Sequence, residues 1–205
     1  MNNERVSHIR WLTITAMMGA MATVLMMLDF SVPLMPSFIK FDLSELPALI
    51  SSFALGPLSG VCVCLIKNLL NLPSSGTGGV GELSNFILGC AFVVPAGIIY
   101  QQNKTRKRAI IGCIAGAVSM AVLSVFSNYF IVYPVYTKFM PLDAIIGAYK
   151  EINPNVNGLL SCLLMFNLPF TFIKGACSAV ITVAVYKYIS PVIKGTYKSG
   201  KTVKE

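Results

Sequence analysis

The amino-acid sequence predicts an all-α integral membrane protein, a bundle of six transmembrane helices with cytoplasmic N- and C-termini. Three observations lead to this prediction. Hydrophobic residues make up 55% of the 205 residues and charged residues only 12%, whereas soluble proteins average about 45–50% and about 25%. The mean hydropathy is +0.72. The basic residues lie mainly in short flanks between apolar runs, as in membrane proteins whose orientation in the bilayer is set by positive charge on the cytoplasmic side. We expect one domain, residues 1–205.

Six apolar runs are the candidate spans, since crossing the hydrocarbon core takes about 20 mostly apolar residues. The first run follows Arg5 and Arg10 and resembles a signal peptide. No cleavage site follows it and five more apolar runs do, so it is predicted to be helix 1. Gly56 and Pro57 separate the second run from the third, which predicts a tight helix pair with a cytoplasmic turn. The predicted spans are about 11–29, 45–55, 57–72, 81–100, 109–133 and 158–188.

The segments 30–42 and 134–157 are predicted to be loops on the outer side, the first because its two prolines preclude a regular helix. Of the 16 basic residues, two lie within apolar runs and eleven lie on the inner side of this arrangement. Three, Lys40, Lys138 and Lys150, lie on the outer side. This excess of inner positive charge predicts cytoplasmic termini.

Several functional classes are not expected. The basic residues form no stripe interleaved with aromatic residues, which argues against nucleic-acid binding. Cys62 and Cys64 point to nearly opposite faces of a helix, and no other spacing predicts a metal or a cofactor. Residues 76–81 match the dinucleotide fingerprint formally, but they join two apolar helices, and Glu82 stands where a phosphate-binding loop needs lysine. The chain therefore has no visible means of hydrolysing ATP, so any energy must come from a partner.

Two lysines, Lys67 and Lys174, lie within apolar runs, where an ionisable side chain needs a partner, water or a function. Lys67 is close to the outer end of its run, and two interpretations of it stay open. Either it forms an ion pair near the outer interface with Glu82 or Asp42, or it has a functional role.

Lys174 lies deeper in the last apolar run, beside features that predict a polar pocket. Thr171 precedes it by one turn on nearly the same helix face, and Pro169 frees backbone carbonyl groups there. Asn85 and Asn128 are amides near the outer ends of helices 4 and 5 and are candidates to complete the pocket. We expect Lys174 to contact a ligand rather than to have a structural role.

Helix 1 carries two small residues four positions apart, Ala16 and Ala20. Small residues with this spacing let another helix approach closely. The residues alone leave open whether that helix belongs to the bundle or to a partner protein.

Segments spread over most of the chain carry a resemblance to a known family. They are FIKFDLSELPAL at 38–49, FALGP at 53–57, GV at 60–61, IKNLL at 66–70, GELSNFI at 81–87 and PFTFIKG at 169–175. On these residues the sequence resembles the riboflavin-specific S component of energy-coupling-factor (ECF) transporters. The resemblance implies a six-helix bundle in a prokaryotic cell membrane that binds the vitamin near its outer face and is not an enzyme.

The resemblance also implies partners and contacts. A transmembrane T subunit and two ATPases would drive uptake, and Ala16 and Ala20 would dock on the T subunit. The implied flavin-ring contacts are Asn128, Thr171 and Lys174, and the implied lid is the loop around Lys40, Phe41 and Asp42. The family pattern usually has asparagine three positions before the lysine, where this chain has Thr171. A hydroxyl is shorter and cannot present the paired donor and acceptor of an amide.

Riboflavin has a flat apolar end, a polar pyrimidine edge and a hydroxylated chain, which suit a pocket of apolar walls with a few placed amides and a lysine. FMN or a related flavin is a further candidate ligand. The nearest alternative is an S component for thiamine or biotin. A secondary transporter would be expected to show inverted repeats, which are not evident here. A membrane enzyme would need catalytic groups within the membrane, where Asp and Glu are nearly absent.

Overall fold

The computed structural model describes residues 3–36, 39–76, 78–138 and 141–193. Some parts of the sequence predictions lie outside these ranges: residues 37–38 of the first loop, Thr77 of the fingerprint match, residues 139–140 of the second loop, and the basic tail from Lys194 onward. The described chain is largely helical, with one short antiparallel hairpin.

The helices follow the predicted order with small differences at their ends. Their bounds are α1 Asn3–Met27, α2 Glu45–Leu55, α3 Pro57–Asn71, α4 Val80–Gln102, α5 Arg106–Ser127, α6 Tyr133–Tyr136, α7 Leu142–Lys150, α8 Leu159–Cys162 and α9 Leu168–Ile193. A 3₁₀ turn, Leu72–Ser74, follows α3. Two π-helical segments make longer helices continuous: Asn128–Val132 joins α5 to α6, and Leu163–Asn167 joins α8 to α9.

Four helical stretches of the described chain are long and apolar enough to cross a membrane. They are His8–Met27, Val80–Gln102, Arg106–Tyr136 and Leu159–Val185. Each coincides with a predicted span, so the chain is a multi-pass membrane protein. Helices α2 and α3 have 11 and 15 residues, fewer than the roughly 20 that a helix needs to cross the hydrocarbon core alone.

The turn between α2 and α3 follows from two adjacent residues. Gly56 has a φ of 100°, which is accessible to glycine and strained for other residues, and it ends α2. Pro57 occupies the first turn of α3, where its missing N–H group is not needed. The two helices therefore form the predicted tight pair.

Both predicted loops contain secondary structure. In the first, β1 (Phe30–Ser31) pairs with β2 (Lys40–Phe41), and Phe30 lies opposite Phe41. The predictions of loops were wrong for these residues and for α7, which lies within 134–157. Helix α7 buries Ile145 and Tyr149 against the end of the bundle, so it is held by packing that the local sequence does not reveal.

Small residues set the distances between the long helices. A side chain on Gly112 of α5 would place its Cβ 2.7 Å from the carbonyl oxygen of Ala96 in α4, so the two backbones touch. Such close approach is typical of helix packing in membranes. One core cluster surrounds Phe53, Phe92 and Tyr100, and a second lies around Tyr149 under α7.

Candidate ligand-binding site

A cavity of about 380 Å³ lies between the first loop and the adjoining parts of α4, α5 and α9. Its volume is in the range of about 300–1,000 Å³ that is usual for sites of small organic ligands. Both π-helical segments border it, through Asn128, Val132 and Asn167. π-Helical turns occur frequently at functional sites, where they displace side chains from regular helical positions.

Six of the seven ligand residues predicted from the sequence line this cavity: Lys40, Asp42, Asn85, Asn128, Thr171 and Lys174. The seventh, Phe41, is not among the lining residues. Its ring packs edge-on against that of Phe170, a lining residue, with the centroids 6.2 Å apart. The fold therefore brings the predicted residues together, and their contact with a ligand stays a prediction.

Lys174 and Asp42 form an ion pair across the cavity wall. The Lys174 Nζ lies 2.7 Å from the Asp42 Oδ2, and the two side chains are only 5% and 4% exposed. Asp42 also accepts hydrogen bonds from the Ser44 hydroxyl and, at 2.8 Å, from the Ser44 backbone N–H group. The pair ties the first loop to α9. The expectation that Lys174 has no structural role was therefore wrong, and its contact with a ligand stays a prediction.

The Asp42 carboxyl group is ionised because of its neighbours. Burial alone would raise its pKa, but the ammonium groups of Lys174 and Lys67 and the hydrogen bonds to Lys174 and Ser44 hold the pKa well below its ordinary value. Asp42 therefore carries a full negative charge at neutral pH, as its pairing with Lys174 requires.

Lys67 has a different partner from those predicted. Its Nζ lies 2.6 Å from the Glu45 Oε1 and donates at 2.6 Å to the Ser44 Oγ, and the Lys67 and Glu45 side chains are fully buried. The predicted pairing with Glu82 or Asp42 is wrong, because Glu45 at the start of α2 lies against α3 across the tight turn. Ser44 links the two ion pairs, since it accepts from Lys67 and donates to Asp42.

Glu82, the other predicted partner of Lys67, lines the cavity and has hydrogen-bond partners other than Lys67. It accepts hydrogen bonds from the Asn71 Nδ2 at 3.0 Å and the Ser75 Oγ at 2.7 Å. These contacts fix the segment between α3 and α4 against the first turn of α4.

Polar groups on the wall are available to a ligand. Asn85 is half-buried and Thr171 is buried, and neither side chain hydrogen-bonds to another described residue. The Asn128 Oδ1 accepts from the Ser84 hydroxyl at 3.3 Å, so its Nδ2 group remains as a donor.

Sequence reasoning missed several lining residues, including Tyr133, Tyr136, Asn167 and Phe170. Asn167 is the only strongly polar side chain within an apolar run, Leu163 to Phe170, and this signal was present in the sequence. Tyr149, whose hydroxyl group donates to the Asn167 Oδ1 at 2.7 Å, comes from α7 and had no such signal. Burial raises the pKa of the Tyr149 phenol above its ordinary value, so this group stays a neutral hydrogen-bond donor.

Ala16 and Ala20 are both exposed on the outer face of α1. The inward face carries Thr15, whose Oγ1 lies 2.6 Å from the Ser59 Oγ, and Gly19, which lies against Ile66. The two alanines therefore do not pack against the described part of the bundle, and their contact with a partner protein stays a prediction.

The described residues include no group of three or more His, Cys, Asp or Glu side chains that could hold a metal ion. The wall instead combines aromatic rings, amides, hydroxyls, carboxylates and two lysines, Lys40 and Lys174. Such a set can bind a planar ring by its faces and its polar edge by hydrogen bonds.

Comparisons with known proteins find similarity to one family over almost the whole chain. Residues 10–186 match the family described as "ECF transporter, substrate-specific component". The riboflavin transporter RibU of Staphylococcus aureus is 34% identical over 186 residues, which are 90% of this chain and 92% of that protein. The riboflavin transporter FmnP of Bacillus subtilis is 29% identical over 189 residues, 91% of this chain and 95% of that protein.

The fold is also similar to a solved one. The structure described as "Structure and mechanism of the S component of a bacterial ECF transporter" superposes with a TM-score of 0.72 at 28% sequence identity. The alignment covers 91% of this chain and 99% of the other.

Proposed function

Since this chain belongs to the family of ECF-transporter substrate-specific components, we propose that it captures riboflavin at the membrane for import. It is a transport component and not an enzyme. The observation that carries the proposal is the similarity to riboflavin transporters over about nine tenths of the chain. The cavity of about 380 Å³ supports it, because all three predicted ring contacts, Asn128, Thr171 and Lys174, line that cavity.

The chemistry of the cavity suits a flavin. The isoalloxazine ring needs flat apolar walls, for which Phe170 and Tyr136 are placed. Its pyrimidine edge presents carbonyl acceptors and an N–H donor, which the Asn128 amide, the Thr171 hydroxyl and the Lys174 ammonium group can pair. Asn85 and Glu82 extend the polar wall for the hydroxylated chain of the ligand.

The first loop is proposed to be the lid. Lys40 and Asp42 line the cavity from this loop, and the Phe41 ring packs on Phe170. The Lys174 ammonium group has three N–H donors, so a ligand acceptor and Asp42 of the loop can bind the same group. We therefore expect the position of the loop to respond to the ligand.

The proposed topology has six crossings with cytoplasmic termini in the cell membrane of a prokaryote. The excess of eleven inner over three outer basic residues supports it. Helices α2 and α3, with 11 and 15 residues, extend only about 17 and 23 Å at about 1.5 Å per residue. They would cross the core of about 30 Å together with the segments that continue their outer ends.

Energy for uptake is proposed to come from partners, a T subunit and two ATPases. The exposed Ala16 and Ala20 on α1 are the proposed docking surface for the T subunit, because small side chains allow close helix contact.

An uptake assay tests this function. Cells that cannot make riboflavin are given this chain with or without a T subunit and two ATPases. We expect growth on low riboflavin only with the complete set. Equal growth with the chain alone would indicate a secondary transporter, and growth on low thiamine or biotin in matching auxotrophs would indicate another vitamin.

A further inference from the structure

Five buried side chains form a continuous row of contacts from the interior of the bundle to the cavity wall. Its inner end is the ion pair of Glu45 with Lys67, and its outer end is the ion pair of Asp42 with Lys174. Ser44 joins the two pairs, because its hydroxyl group contacts both the Lys67 Nζ, at 2.6 Å, and the Asp42 Oδ1. Asp42 and Lys174 line the cavity, whereas the other three residues are not among its lining residues.

The charges on its two sides fix the direction of both hydrogen bonds of the Ser44 hydroxyl group. An ammonium group can only donate, and an ionised carboxylate can only accept. The hydroxyl group therefore accepts from Lys67 and donates to Asp42. The Ser44 backbone N–H group also donates to the Asp42 Oδ1, at 2.8 Å. Ser44 thus binds one oxygen of the Asp42 carboxylate twice, and Lys174 binds the other oxygen, Oδ2, at 2.7 Å.

The inner ion pair gives Ser44 a fixed point in the bundle. The Lys67 and Glu45 side chains are fully buried, and the Glu45 carboxylate packs closely against Gly89 of α4. A Cβ atom added to Gly89 would lie only 3.0 Å from the Glu45 Oε2. Lys67 is therefore held between α3 and the start of α2, and its ammonium group determines where the Ser44 hydroxyl group points.

This arrangement divides the Asp42 carboxylate between two partners. While Ser44 holds Oδ1, only Oδ2 pairs with Lys174, so the loop uses one of the three donors of that ammonium group. If Oδ1 is held by the backbone N–H group alone, the carboxylate can turn and offer both oxygens to Lys174. The ammonium group is then drawn towards the loop and away from the cavity.

We propose that Ser44 is a positioning residue for ligand binding: it holds Asp42 so that the Lys174 ammonium group faces the cavity and donates to a carbonyl acceptor of the ligand ring. The inference rests on the proposed function, because a flavin supplies that acceptor. Lys67 also lowers the pKa of the Asp42 carboxyl group through its charge, so a substitution of Lys67 has two effects. Ser44 is the residue at which positioning is tested separately from charge.

The test measures riboflavin affinity by quenching of flavin fluorescence in the wild type and in Ser44→Ala, which removes the hydroxyl group and keeps both ion pairs. Ser51→Ala is the matched control, because Ser51 is a buried serine of α2 whose hydroxyl lies 2.6 Å from the neutral hydroxyl of Ser59. We expect a Kd about threefold to tenfold weaker in Ser44→Ala, since the Lys174 ammonium group is displaced but still present. Ser51→Ala should leave the Kd unchanged.

Two further variants make the test specific. Ser44→Cys has a side chain of similar shape, but its thiol is only a weak donor and acceptor. It should weaken binding in the same direction, and it replaces Ser44→Ala in the test if that variant does not fold. Ser44→Ala is also combined with Asp42→Asn and Lys174→Met, where no ion pair is left to position, and should then have no further effect on the Kd. Melting temperatures without ligand show whether each variant is folded.

A spectroscopic measurement separates positioning from a general loss of structure. A carbonyl group that accepts a hydrogen bond has a weaker C=O bond, so the carbonyl stretching band of the bound flavin should move to higher frequency when the Lys174 donor is displaced. We expect this shift in Ser44→Ala, a larger shift in Lys174→Met and none in Ser51→Ala.

The outcomes distinguish the inference from the proposed function. If the wild type binds no riboflavin, the proposed function fails. If the wild type binds and a folded Ser44 variant keeps both the affinity and the carbonyl band of Ser51→Ala, the positioning role of Ser44 is overturned. If Ser44→Ala weakens binding by the same factor with and without the Asp42–Lys174 pair, Ser44 does not act through that pair and the inference is also overturned.

Discussion

Replacing Asp42 by Asn tests how the first loop is held over the cavity. The substitution keeps the shape of the side chain and removes the charge that pairs with Lys174 at 2.7 Å, where the two side chains are 5% and 4% exposed. Removing one partner of a buried ion pair typically destabilises a protein by about 3–5 kcal/mol, because the other charge stays buried without compensation. At about 2–4 °C per kcal/mol for a chain of this size, the melting temperature should fall by roughly 6–20 °C.

Two further variants make the test specific. Adding Lys174→Met to Asp42→Asn removes the second charge and should restore most of the lost stability. Asp29→Asn is the matched control, since Asp29 pairs with Lys40 at 3.0 Å but the two side chains are 33% and 51% exposed. An exposed pair of this kind contributes about 0–1 kcal/mol. The assay is thermal melting of the ligand-free protein in detergent.

Either of two results would show that the Asp42–Lys174 pair does not hold the loop as proposed. If Asp42→Asn lowers the melting temperature no more than Asp29→Asn, the buried pair does not hold the loop. If the double variant loses as much as the two single variants together, the two charges are not coupled.

The remaining predictions concern the ligand, coupling, topology and pH. Lys174→Met should weaken riboflavin binding by about tenfold to a hundredfold, the value of a charge-assisted hydrogen bond, in a fluorescence titration. Replacing Ala16 and Ala20 by Trp should abolish uptake in cells and leave binding in detergent intact; loss of binding would place this surface inside the bundle. Reporter fusions after Lys104 and at the C-terminus should both be cytoplasmic, and an external signal from either contradicts the six crossings. Because the pKa of Asp42 is lowered below its ordinary value of 3.8, the stability from its pair is fully present above about pH 4 and is lost as the pH falls through the lower folded-state pKa. The melting difference between wild type and Asp42→Asn should therefore be constant from about pH 8 to about pH 5 and shrink only in stronger acid.

The long spans could be predicted because each depends only on the residues of its own segment. Runs of about 20 apolar residues bounded by basic flanks identify α1, α4, α5 and α9 without knowledge of their neighbours. The turn at Gly56 and Pro57 is local in the same way. A lysine deep in an apolar run, as at position 174, also signals a special environment by itself.

What could not be predicted depends on tertiary contacts. The ion pair of Lys67 with Glu45 and that of Lys174 with Asp42 join separate elements, and charge alone allowed other partners for Lys67. The two π-helical segments border the cavity, and neither was predicted from the sequence. Tyr149 reaches Asn167 only because α7 folds back on the bundle.

Binding of riboflavin in this cavity can be measured by an equilibrium titration of flavin fluorescence with the purified wild-type protein. We expect saturable quenching with one riboflavin per chain, which thiamine and biotin do not reverse and which is weaker in Lys174→Met. No quenching by a folded protein, or displacement of the flavin by thiamine or biotin, would contradict it.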